Sequence, residues 1–124
     1  MSGVAATIYL AQKMDDILED VHRFLREHAA EVHPTRRGRV WEVVLTTVTK
    51  PGARIPAHIE VYALSERLLE HEDELRRLGI SEDQAASCIS LSTGLKDHHV
   101  LAAVQGTIIA LAAELQAVAV RGPD

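Results

Sequence analysis

The chain has 124 residues, 47% of them hydrophobic and 25% charged, with a formal charge of −5 at neutral pH. This is the length of one domain with enough Leu, Ile, Val and Ala for a core, which excludes a disordered chain. The lone Cys88 excludes a disulfide scaffold, the few aromatics (Tyr9, Phe24, Trp41, Tyr62) exclude a base-stacking platform, and the acidic balance gives no general attraction to phosphate backbones.

The start, Met1-Ser2-Gly3-Val4, has no basic segment leading into an apolar one, and Asp15, Asp16, Glu19 and Asp20 follow early. No signal peptide is expected, and a cytoplasmic location is. Arginine outnumbers lysine and alanine is abundant, a usage associated with high-GC bacteria. A first helix is expected over about 4–32. Its apolar seam (Val4, Thr7, Ala11, Met14, Leu18, Val21, Leu25, His28, Val32) alternates spacings of three and four. His33-Pro34 should end it, since the residue before proline is pushed out of the helical region. A basic loop, Thr35-Arg36-Arg37-Gly38-Arg39, follows.

Residues 40–50 carry two signals. Their β-branched density favours a strand, while Trp41, Val44, Leu45 and Val48 share one helical face. With no strand partner in view, helix is the expectation. Pro56 suits a first helical turn, opening a helix over about 57–78 that is seamed by Val61, Leu64, Leu68, His71, Leu75 and Leu78 and stopped by Gly79. Ser81 and Gln84 form a capping box that should open a short helix to about Leu91. The last helix is expected over about 97–120. Of the 21 residues from Val100 to Val120, 16 are apolar, enough to span a bilayer. Gln105, Glu114 and Gln116 argue for a buried helix instead, so no membrane association is expected. Residues 121–124 read as a tail.

The resulting expectation is a single domain over 1–124, an all-α bundle of four to five helices that dimerises through helix one. Met14, Leu18, Val21, Leu25 and His28 are its seam.

The stretch Glu74-Leu75-Arg76-Arg77-Leu78-Gly79-Ile80-Ser81-Glu82-Asp83-Gln84-Ala85-Ala86-Ser87-Cys88-Ile89 resembles a helix-turn-helix, which implies a DNA reader. Its second helix would start on two carboxylates and carries no Lys or Arg, so phosphate would be repelled and a hairpin within the bundle is preferred. Any contact with phosphate or a partner would fall to Arg36, Arg37, Arg39 and Arg54.

Glu19 and His22 have the Glu-x-x-His spacing of di-metal bundles, but a second pair is missing. His28 and His71 lie on two seams and read as hydrogen-bonded seam histidines. Arg23 and His28 match the arginine–x4–histidine spacing of helical HEPN-type ribonucleases, though Phe24 stands where a polar residue would accompany the arginine. No ordered Ser–His–acid arrangement emerges from the serines near Cys88, and Cys88 itself reads as a buried apolar group. No catalytic residue, metal or cofactor is expected. The functional expectation is a small regulatory or adaptor protein that associates through helices with itself or with another protein. A helix-turn-helix regulator is the alternative.

Overall fold

A computed structural model describes residues 3–35 and 38–123. It overturns the all-α expectation. Six strands form one antiparallel sheet: β1 (Val4–Leu10), β2 (Glu31–Pro34), β3 (Val40–Leu45), β4 (Ile55–Ala63), β5 (Ser87–Thr93) and β6 (Ala119–Arg121), in the spatial order β2-β3-β4-β5-β1-β6. Three helices complete it: α1 (Met14–His28), α2 (Leu68–Leu78), which follows a 3-10 turn at Leu64–Arg67, and α3 (His98–Leu115).

Three of the five expected helices survive in part, over 14–28, 68–78 and 98–115, and those over 40–50 and 81–91 do not form. The expected ends of the first and last helices fall in β2 and β6, and two of the expected starts are strands as well. Residues 4–10 and 57–63, read as first turns of long helices, are strands. Residues 40–45 are a strand as well, and their partner β4 had been hidden inside a predicted helix. Pro56 sits in β4 opposite Val44, and the ladder to β5 begins only at His58, so its missing N–H deprives no neighbour. Half of the Ser81–Gln84 box forms: Ser81 N donates to Gln84 Oε1 at 2.8 Å, while Gln84 N donates to the Ser81 carbonyl rather than to its side chain. It closes a turn rather than a helix, because residues 87–93 run out into the sheet between β1 and β4.

Strand alternation sends one set of side chains to each face. On the first face, the rows Trp41–Ile59–Leu91–Ala6 and Val61–Ile89–Ile8 meet Ile17, Val21, Phe24 and Leu25 of α1 and Val104, Ile108 and Leu111 of α3. The seam assigned to dimerisation is therefore largely internal: Val21 and Leu25 are fully buried against the sheet, and Met14 and Leu18 pack on the same core. His28 is exposed and its Nδ1 bonds the Phe24 carbonyl at 2.9 Å. By length and composition α3 is apolar enough to cross a membrane. Here it packs on β1 and α1, capped by Asp97, whose carboxylate accepts from the amides of His99 and Val100.

The second face is covered only in part. α2 anchors Leu75 over Tyr9, Tyr62 and Cys88 and ends at Gly79, where φ is +73° and only glycine adopts the turn without strain. The rest of this face is open to solvent.

Candidate functional site

The second face carries its polar groups in register. One row runs Val40–Glu60–Ser90–Thr7–Arg121, and the next runs Tyr62–Cys88–Tyr9–Ala119. α2 adds His71 above them. Tyr9 Oη lies 2.8 Å from His71 Nδ1, Tyr62 Oη lies 2.8 Å from His71 Nε2, and Tyr62 Oη lies 2.9 Å from Ser90 Oγ. Four side chains from four elements thus form one continuous hydrogen-bonded chain between α2 and the sheet.

Arg67, in the turn leading into α2, borders this chain. It makes a two-pronged ion pair with Glu60, at 2.6 and 3.1 Å, and its guanidinium lies 4.1 Å from the centre of the Tyr62 ring. The planar fork suits both the carboxylate and the aromatic face.

Burial sets the protonation states. It pushes the Tyr62 phenol up to about 12 and raises Tyr9 as well, so both remain phenols at neutral pH. It pushes the Cys88 thiol up to about 12, which removes the thiolate and with it a nucleophilic role. It lowers His71, against the opposing pull of Glu70. A neutral imidazole has one N–H and one lone pair. One tyrosine must therefore donate to the ring while the other accepts from it. Two arrangements satisfy the chain, running in opposite directions, and in each the spare hydroxyl proton sits at one end, on Tyr9 or on Ser90. Reversing the chain moves a proton's position from one end to the other without burying a charge.

Above Tyr9 and His71 is a cavity of about 310 Å³, lined also by Thr7, Glu70, Asp73, Glu74, Arg77 and Arg121. Glu74 is ion-paired with Arg121, and Asp73 with Arg76. The wall therefore carries both signs of charge. A wider groove of about 820 Å³ follows α1 past His22, Arg23, Arg26 and Trp41. Its charged side chains stand in solvent, and its buried indole N–H is already satisfied by His22 Nδ1 at 3.0 Å. It offers less chemistry than the smaller cavity.

The other residues singled out from sequence do not converge. Arg39 pairs with Glu66 and Arg54 with Glu31, and Arg36 and Arg37 lie outside the described residues. Arg23 bonds Asp20, away from His28. His28 and His71 belong to helices packed on opposite faces of the sheet, so they cannot share a ligand. Among the described residues no group of His, Cys, Asp and Glu is arranged to hold a metal ion. The helix-turn-helix resemblance has no counterpart, since its second helix is replaced by a turn and β5.

Sequence reasoning singled out His71 but gave it an apolar seam, and it missed Tyr9, Tyr62, Ser90, Arg67 and Glu60. The one available signal was alternation: Tyr62, Glu60 and His58 fall on one face of a strand, as do Cys88, Ser90 and Ser92. No family model, curated protein or solved structure matches the chain.

Proposed function

We propose that the protein is a small regulatory domain that binds a polar small molecule in the cavity over Tyr9 and His71. The observation carrying this reading is the Tyr9–His71–Tyr62–Ser90 chain. Packing α2 onto the sheet needs only hydrocarbon, and buried polar groups destabilise unless every one is satisfied. A satisfied chain ending at a polar cavity is the usual construction of a binding site. Walls of both signs, with Glu70 and Arg77 at the mouth, favour a ligand bearing both an acidic and a basic group. Titrating the protein with small zwitterions, anions and cations while following the His71 ring resonances tests this. Zwitterions should shift them, and Arg77→Ala should weaken binding about tenfold, the order of one charge-assisted hydrogen bond. Shifts confined to the α1 groove, or none with any class, would overturn the reading.

A second reading concerns self-association, which keeps the adaptor expectation but moves it from α1 to α3. Leu101 and Ile109 lie on one outward stripe of α3, with Val48 exposed nearby and Ala102, Gly106 and Ala110 lining a groove between. From His98 to Ala113 the helix carries no Lys, Arg, Asp or Glu. Two copies of an acidic chain therefore meet here without like charges opposed, so the occupant is a second copy. Sedimentation should give a dimer that Ile109→Glu converts to a monomer. A wild-type monomer at micromolar concentration ends this reading. Cys88, a buried free thiol, suits the reducing cytoplasm in which this reading places the protein.

A further inference from the structure

The open part of the second face carries another register row, His33–Glu42–His58–Ser92. Three adjacent strands therefore set a carboxylate, an imidazole and a hydroxyl side by side on one face, 16 and 34 residues apart in the chain. His58 Nδ1 is 2.6 Å from Glu42 Oε1. A carboxylate accepts, so Nδ1 bears the proton and the lone pair of the neutral ring is on Nε2. Among the described residues neither Nε2 nor the Ser92 hydroxyl has a protein hydrogen-bond partner, and Ser92 is exposed. His58 and Ser92 are directly opposed, a position in which Cβ atoms on a sheet lie about 5 Å apart, so the two are neighbours that make no hydrogen bond with each other here. A cavity of about 390 Å³ opens on the row, lined by Glu42, Pro56, His58, Ser92, Thr93 and Gly94. Nothing lies within 4 Å of where a Cβ on Gly94 would be, so this wall is open to an incoming ester.

We propose that Glu42, His58 and Ser92 form a nucleophilic acyl-transfer site for small esters. The Ser92 oxygen attacks the ester carbonyl as its proton passes to His58 Nε2. The tetrahedral adduct collapses, breaking the bond to the alcohol oxygen, which leaves with that proton. Water, deprotonated by the same nitrogen, then hydrolyses the acyl-serine to a carboxylic acid and restores the hydroxyl. Glu42 holds the ring in the required tautomer and offsets the charge of the imidazolium. The neighbouring charges are arranged to leave this intact: Glu60 is held by Arg67, and His33 bonds Glu31. The site is independent of the cavity over His71.

The test uses the full chain with p-nitrophenyl acetate and a fluorophosphonate, read by nitrophenol release and by mass mapping. Wild type should turn over the ester and carry one phosphonyl group, on Ser92. Ser92→Ala should lose the label and at least about a hundredfold in rate, His58→Gln about as much, and Glu42→Gln less. Arg23→Ala, which breaks only an exposed ion pair with Asp20 on α1, should leave both readouts unchanged. Absent labelling, a label on Ser90 or elsewhere, or hydrolysis that survives Ser92→Ala overturns the proposal. The labelling of wild type stands whatever any variant does to folding.

Discussion

On one face of the sheet, α1 and α3 meet the strands through hydrocarbon: Ile8, Ile59, Leu91 and Trp41 against Ile17, Val21, Leu25 and Ile108. On the other, α2 meets them through two tyrosines, a histidine and a serine, with Leu75 as its buried aliphatic anchor. The first arrangement is non-directional. It stabilises in proportion to buried area and tolerates many side-chain choices that keep volume. The second works only in one geometry, because each hydrogen bond constrains the next. Among the described residues no buried side-chain nitrogen or oxygen lacks a partner, so the geometry is met throughout. The first face thus accounts for most of the stability, and the second carries the polar network and the candidate sites.

Breaking the hydrocarbon face should have the largest effect. Trp41→Ala removes a side chain that is 2% exposed and strands the ring nitrogen of His22, and it should lower unfolding free energy by about 4 kcal/mol in chemical denaturation. On the other face, Leu75→Ala should lower it by about 2–3 kcal/mol, since the cluster under α2 is smaller and the helix has room to settle. Amide exchange should then quicken in α2 before it does in α3. If Leu75→Ala matched Trp41→Ala, the two faces would be equal partners and the division drawn here would fail.

Tyr62→Phe keeps the ring but leaves His71 Nε2 and Ser90 Oγ without their shared partner. A loss of about 1–2 kcal/mol is expected, and a double-mutant cycle with Ser90→Ala should show coupling between the sites. Additive losses would mean that the hydrogen bonds act separately rather than as a chain.

The pH dependence separates the faces too. His71 is held below its ordinary value by burial, with Glu70 and Glu74 pulling it up and Arg67 and Arg121 pulling it down. The unfolded chain therefore takes up the proton first. Stability is full above about pH 6.5 and falls as pH drops from there toward the lowered folded value. At the alkaline end Cys88 and Tyr62, both pushed up to about 12, ionise first in the unfolded chain, so stability falls again as pH rises past the ordinary values of 9.0 and 10.0. Denaturation curves across pH should show both limbs, and His71→Gln should flatten the acid one. The smallest effect is expected at Arg23→Ala, which breaks an exposed pair with Asp20 and should move stability by no more than about 0.5 kcal/mol.

By itself the sequence determined that helix occupies parts of 4–32, 57–78 and 97–120, and that one of them stops at Gly79. The amphipathic patterns of α1 and α2, the apolar run of α3 and the glycine stop are local features, set by neighbours a few residues away. The strands were another matter. β1 is buried at six of its seven positions, so it shows no clean alternation to tell it from a buried helix turn. Its partner β5 lies about 80 residues away, and β3 was assigned to a helix because its partner β4 was not recognised. Tertiary structure decided these elements, because a strand gains its hydrogen bonds from another strand and not from itself, whether that strand is the next one, as for β3 and β4, or about 80 residues away, as for β1 and β5. It decided the sites for the same reason. Tyr9, Tyr62, His71 and Ser90, and likewise Glu42, His58 and Ser92, are scattered in sequence and become neighbours only through strand register and the docking of α2.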